Sequence, residues 1–368
     1  MPAYKRRTNK SYTSLKYKQA FKRKKSINSF FKLVGISVTG LVLFSVAFYL
    51  YTLTLILKEP FVKASGFVDF SKNSYDSNND FSVMLVELED IKDTASKVNK
   101  LYLYKISPKN ARSIIIEIPV NAVSAGFYTD ATLVSDLYFL GNSGDESRGV
   151  TNLKKLILKN FAVSVDSYIL YDGDTLKQLS DLNININRND IPNSIRYTSF
   201  LNVSKIFEIL RKHIKSDLSS VEFFKIVTDT KNLNQSEFKF ISILSSDFTD
   251  TNKFDNMWLN YNNLELNLNY RNTVIVLNST ETPGLALWGS RIVKNIGASV
   301  IDVGNQSEAE NETVIYTNNF DLPLVSYLSN ILKIKKIKHT KDYKNDLFLA
   351  SRADVLIIMG KDTASLFK

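Results

Sequence analysis

In this chain of 368 residues, 47 Lys or Arg stand against 37 Asp or Glu, and the formal excess of +10 is concentrated rather than spread. Residues 1–32 hold eleven of the basic side chains, from Lys5 to Lys32, and no acid, so the remainder carries 36 basic and 37 acidic residues. A basic tail on a neutral body argues against a nucleic-acid-binding body. The absence of Cys, with only His213 and His339 as histidines, excludes disulfides, thiolate nucleophiles and lipoprotein anchoring and argues against histidine-rich metal sites.

The tail is followed at once by Leu33–Leu57, LVGISVTGLVLFSVAFYLYTLTLIL, without a charge. Roughly 20 apolar residues cross the hydrocarbon core, whereas a cleaved signal peptide has an apolar core of only about 7 to 15. The sequence therefore predicts a single transmembrane helix over 33–57. Lysine and arginine collect on the cytoplasmic side, and only Lys58 and Lys63 closely follow the span. The tail is thus expected inside and the bulk of the chain outside, with the lipid bilayer as one partner. The tail reads either as a topology signal or as a segment drawn to anionic headgroups.

Residues 58–79, rich in Ser, Asn and Lys, show no sustained period and are expected to form a stalk. FSVMLVEL (81–88), KLYLYKI (100–106) and ARSIIIEIP (111–119) read as strands, with a turn at 107–110. VTNLKKLILKNF (150–161) places Leu153, Leu156, Ile157 and Phe161 on one helical face, VDSYILYD (165–172) reads as a strand, and KIFEILRKHI (205–214) as a second amphipathic helix. Such mixing implies an α/β or α+β domain over 80–245. An Asn- and Asp-rich stretch at 246–270 reads as a linker. Beyond it, 271–364 is expected to fold separately with the order βαββαβ. Its strands are 273–278, 298–305, 313–318 and 353–360, its helices 284–296 and 322–333, and a short extra strand falls at 334–337.

VIVLNSTETPGLALWGSRIVKNIGASVIDVGN, then TVIYTN, then ADVLIIMGKD, resembles the C-terminal domain of LytR-type bacterial cell-envelope proteins, with Ser279 where the family has a turn glycine. Asn278, Ser279 and Thr280 are the binding candidates in that turn. The same stretch has a second reading: Thr282 caps the following helix with Pro283 in its first turn.

KLYLYKISPKNARSIIIEIPVNA and NLKKLILKNFAVSVDSYILYD are similar, more faintly, to the catalytic domain of the LytR-CpsA-Psr family. That resemblance implies attachment of lipid-linked glycopolymers to peptidoglycan by phosphotransfer, with arginines and acids gripping a polyprenyl pyrophosphate and a magnesium ion. The chain departs from the family where the chemistry sits. Val120, Asn121 and Ala122 stand for Arg-Asp-Thr, residues 97–100 lack the Arg-x-Asp-Thr pattern, and the later Arg-Gln-Gln run falls near Asn202–Ser204. A shifted active site would draw on Asp90, Asp93, Lys97, Arg148 and Arg196.

Two expectations of different class follow. The favoured one is a non-catalytic, membrane-anchored envelope protein with a glycan- or protein-binding scaffold role in cell-wall assembly and no cofactor. The alternative is a divergent phosphotransferase that requires magnesium.

Overall fold

The computed structural model describes residues 44–52, 54–55, 61–64, 74–124, 127, 132–143, 148–181, 203–262 and 272–367. The basic tail, residues 33–43 of the expected span, and Arg196 lie outside them. The chain divides into two compact units, 1–58 and 59–368.

In the first unit, residues 44–52 are helical, and apolar side chains point outward around the axis: Phe44, Val46, Phe48, Leu50 and Tyr51 are all more than half exposed. Among the described residues, no helix is long and apolar enough to cross a membrane. Of the expected span, 44–52 and 54–55 are described.

The second unit is built on two sheets. Strands β1 (Phe81–Leu88), β2 (Val98–Ser107) and β3 (Arg112–Ile118) form an antiparallel meander, extended by β6 (Ser167–Asp172), β7 (Ile214–Ser216) and β8 (Phe238–Ser242) in the order β7-β6-β1-β2-β3-β8. A small ribbon, β4 (Val123–Ser124) with β5 (Thr132–Leu133), follows β3. Continuous apolar runs are what a strand buried on both faces requires. Alternate residues accordingly enter two cores. Met84, Val86, Leu101, Leu103, Ile114 and Ile116 face one layer, and Val83, Tyr102, Tyr104 and Ile115 the other. The first layer is α1 (Leu137–Asn142), α2 (Gly149–Phe161) and α6 (Thr251–Asn262). All four residues expected on the apolar face of α2 are buried there. Helices α3 (Gly173–Asp181) and α4 (Val203–His213) flank β6 and β7, and α5 (Ser220–Lys231) covers part of the second face.

Two segments differ from the sequence-based reading. The stretch expected as a stalk is partly packed. Phe61 lies against Phe207 and Phe223 (centroids 6.4 and 5.4 Å), the backbone N–H of Ala64 donates to the Tyr168 hydroxyl at 2.9 Å, and the Tyr75 hydroxyl donates to Asp229 at 2.6 Å. Aromatic residues inside a polar stretch bury themselves where a neighbouring core admits them. The middle of the expected linker is likewise the helix α6, which sends Phe254, Trp258 and Tyr261 into the first core.

The second sheet runs β10-β9-β13-β11-β12, from β9 (Thr273–Asn278), β10 (Ser299–Asn305), β11 (Val314–Thr317), β12 (Lys336–His339) and β13 (Val355–Met359). Its helices are α7 (Leu285–Asn295), α8 (Pro323–Leu332), α9 (Leu347–Ser351) and α10 (Lys361–Phe367). The order is therefore βαββαβαβα rather than βαββαβ, because a short strand forms at 336–339, two residues beyond the expected 334–337, α9 precedes the last strand and α10 follows it. Strand β13 pairs parallel with β9 and antiparallel with β11, and all five of its residues are buried. Helix α7 is followed by a left-handed Gly297 (φ 94°), a conformation that glycine adopts without steric cost. The start of the helix differs from the sequence-based reading, since Gly284 (φ 78°) is the N-cap and Thr282 does not cap it.

Candidate functional site at the carboxyl end of the first sheet

Strands β1, β3, β6 and β8 point the same way, so their carboxyl ends gather at one edge of the sheet, where ligands of open α/β sheets characteristically bind. The loop 89–97, the start of β2 and the segment after β3 all reach this end. Residues 97–100 and 120–122, to which the family resemblance assigns its charged grip, are thereby brought together.

On the face of α5, the edge begins as an apolar surface. Leu85, Ile169, Phe223 and Phe240 are only partly buried, and Tyr102 packs on Phe240 with ring centroids 6.3 Å apart. Beyond that surface the register places a polar row across the strands. Glu87 stands opposite Lys100 on one side and Tyr171 on the other, and Glu117 opposite Ser242. Lys100 donates to Glu87 at 2.5 Å, with the Glu87 side chain 10% exposed, and Ser242 donates to Glu117 at 2.6 Å. Asn121 accepts from Ser245 at 2.5 Å, while the carbonyls of Val120 and Ala122 bond to the N–H groups of Ser135 and Val134.

On the opposite face, loop 89–97 meets α1 and α2. The loop closes on itself through Glu89 N–H to the Lys97 carbonyl (3.1 Å) and Asp90 N–H to Ser96 Oγ (2.9 Å). Asp90 Oδ1 accepts from Lys92 N–H and Asp93 Oδ1 from Ala95 N–H, both at 2.8 Å, so these carboxylates brace the loop. Lys97 pairs with Asp136 at 3.0 Å. Asn142 ties the corner together, donating to the Thr94 carbonyl at 3.2 Å and accepting from Gly149 N–H at 2.8 Å. A Cβ on Gly149 would lie 2.7 Å from Tyr138 and Asn142, so only glycine lets α2 start so close to α1. Burial pushes the Tyr138 phenol up; Asn142 lowers it by hydrogen bonding and the Asp93 charge adds to the rise. Arg148 is exposed immediately before α2, with its N–H on the Gly141 carbonyl at 2.8 Å.

The fold thus assembles Asp90, Asp93, Lys97 and Arg148 into one corner. The corner also holds Asp136 and Asn142, and the α5 face holds Glu87, Lys100 and Glu117, none of which the sequence reading named. For the strand residues Glu87, Lys100 and Glu117 the signal was present only as alternation, since pairing needs the register; Asp136 and Asn142 lie outside the strands and carried no such pattern. Carboxylates outnumber cations among these groups. A pyrophosphate entering on the α5 face would meet Glu87 and Glu117 among the described residues, with Lys100 already paired to Glu87. Among the described residues no group of three or more His, Cys, Asp or Glu gathers, and Asp90 and Asp93 each accept a backbone N–H.

The second set of candidates lies at the end of β9 in the other sheet. Asn278 Nδ2 donates to the Thr282 carbonyl (2.9 Å), and its Oδ1 accepts from Thr280 N–H (2.9 Å) and Oγ1 (2.8 Å). Ser279 is buried and donates through both N–H (3.0 Å) and Oγ (2.7 Å) to the Met359 carbonyl. The turn's polar groups face inward and clamp β9 to β13.

No family profile matches the chain, and no curated protein matches it in sequence. Among solved structures, TagT bound to LIIa-WTA shares 11% identity over 53% of this chain and 98% of its own, at a TM-score of 0.36. TagV of B. subtilis shares 13% over 45% and 85% at 0.35, and protein gbs0355 of Streptococcus agalactiae shares 10% over 46% and 80% at 0.36.

Proposed function

We propose that this chain is a membrane-anchored extracytoplasmic envelope protein that binds wall glycan on a LytR-CpsA-Psr-like scaffold without carrying out phosphotransfer. One observation carries the second half of that reading. The positions that the resemblance assigns to a charged grip do meet at the carboxyl end of the first sheet, and the charges there are spent on one another, Lys100 on Glu87 and Lys97 on Asp136.

What remains suits a neutral, hydroxyl-rich ligand better than a polyphosphate. Partly buried Leu85, Ile169, Phe223 and Phe240 adjoin a row of tyrosine, carboxylate, amide and hydroxyl groups, which offers apolar contact beside hydrogen-bonding partners. Anchoring is supported by the uncharged run Leu33–Leu57 and by the outward-facing apolar side chains of its described part.

The full chain, purified in detergent, is expected to co-sediment with purified peptidoglycan sacculi, and Lys100→Glu, which places a third carboxylate in the row, to reduce the bound fraction severalfold. Sedimentation no greater than that of an unrelated membrane protein of the same charge would refute glycan binding. For topology, protease added to protoplasts is expected to digest the chain beyond Lys58; full protection would refute the anchoring.

A further inference from the structure

The last turn of a helix leaves carbonyl groups without intrahelical partners, and proteins ordinarily satisfy them with water, a glycine cap or local turns. Helix α2 ends in a left-handed Ala162 (φ 52°), whose N–H closes on the Leu158 carbonyl at 3.0 Å. The exposed carbonyls are taken by side chains from the other sheet's layer. Trp288 Nε1 donates to Leu158 at 3.1 Å, Arg291 Nη2 to Asn160 at 3.0 Å, and Asn295 Nδ2 to Phe161 at 3.0 Å.

Positions 288, 291 and 295 are three and four residues apart, so they share one face of α7. That face is fixed in turn by α6. Asp255 grips Arg291 through two oxygens, at 2.6 and 3.0 Å, and Trp258 Nε1 donates to the Asn295 carbonyl at 3.0 Å. The guanidinium also sits at the negative end of the α2 dipole, where a cation is favoured. Apolar packing follows the same path, since Ala162 and Leu158 belong to the core of the second sheet while Phe161 packs on Phe254, 4.4 Å between centroids, in the core of the first.

We infer that α7 is the carboxyl-terminal cap of α2, and that residues 272–367 are an integral support of the first sheet rather than a module appended to it. Helix α2, with its thirteen residues, spans roughly 20 Å. One end forms the corner with loop 89–97 and Arg148, and the other is held by Trp288, Arg291 and Asn295.

Both tryptophans of the chain, Trp258 and Trp288, sit at this joint, so their fluorescence reports it without a label. In the full chain in detergent, Arg291→Met is expected to shift the emission to the red and to speed amide exchange in the last turn of α2, Leu158–Ala162, at least tenfold, with β13 still protected. Asp255→Asn, a smaller change, is expected to do the same to a lesser degree. In urea, tryptophan emission and far-ultraviolet circular dichroism are expected to change at one midpoint. Unchanged α2 exchange in both variants, or loss of β13 protection at a urea concentration where α2 remains protected, would overturn the inference.

Discussion

Replacing Lys154 by methionine removes a charge from the interior while keeping its length. Lys154, on α2, has a side chain 6% exposed, and its Nζ lies 3.7 Å from Oδ2 of Asp217, itself 1% exposed, and 5.8 Å from the Tyr168 ring. Asp217 also accepts from Ser167 Oγ and from Tyr168 N–H at 3.0 Å, so the carboxylate ties β6 to the segment before α5. A buried pair adds little net stability against an apolar substitute, but removing one partner leaves a charge without compensation at a cost of about 3–5 kcal/mol. At about 2.1 cal/mol/K of unfolding entropy per residue, a unit spanning 59–368 loses roughly 1.5 °C per kcal/mol, so Lys154→Met is expected to lower the midpoint of thermal unfolding by roughly 5–8 °C. Differential scanning calorimetry of the full chain in detergent measures it. Lys109→Met, in the exposed turn after β2, serves as the control and is expected to stay within about 0.5 kcal/mol. Lys154→Met/Asp217→Asn is expected to recover at least half of the loss, since an amide oxygen still accepts from Ser167 and Tyr168. A single variant within about 1 kcal/mol of the wild type would refute the burial argument.

In α7, a Cβ on Gly289 would lie 2.4 Å from Sδ of Met359 and 3.2 Å from Cγ1 of Val276, so Gly289→Ala is expected to cost about 1–3 kcal/mol of overpacking despite its better helix propensity. Met359→Ala in the same chain is expected to show a favourable coupling in a double-mutant cycle; strict additivity would contradict the contact. For Asp80, burial alone would raise the carboxyl, but the Lys105 ammonium at 3.0 Å and the Ser107 hydrogen bond outweigh it and hold the group below its usual range. A depressed carboxylate contributes stability above its unfolded pKa and loses it as the pH falls through the folded value. Asp80→Asn is therefore expected to destabilise in urea titrations at neutral pH, by at most about 1 kcal/mol because the side chain is 41% exposed, and to match the wild type in acid. A gap that persists unchanged in acid would refute that linkage.

The elements legible in the sequence are those whose pattern is local. Apolar runs gave β1, β3, β9 and β13, and the spacing of Leu153, Leu156, Ile157 and Phe161 gave α2. Helix α5 was not recognised because VEFFKIV is β-branched and aromatic, although Ser219 and Glu222 form a capping box at its start. Helix α6 was hidden by its Asn- and Asp-rich texture, even though Phe254, Trp258 and Tyr261 recur at four and three residues. The departure from Arg-Asp-Thr at 120–122 was readable directly. The Lys100–Glu87 pair was not, because the irregularity between Glu87 and Leu88 sets which residues of β1 and β2 face each other.

The central claim of the proposal is that the end of the first sheet does not perform phosphotransfer. Each charge-assisted hydrogen bond contributes roughly 1.5–3 kcal/mol, so a site lacking the three arginines that the resemblance implies would forgo on the order of 5–9 kcal/mol, and about 1.4 kcal/mol is tenfold in rate. The most direct measurement incubates the purified full chain with a polyprenyl-pyrophosphate-linked glycan and magnesium and follows transfer and phosphate release. The account predicts none above the protein-free control, whereas magnesium-dependent turnover abolished by Arg148→Ala or Arg196→Ala would contradict it.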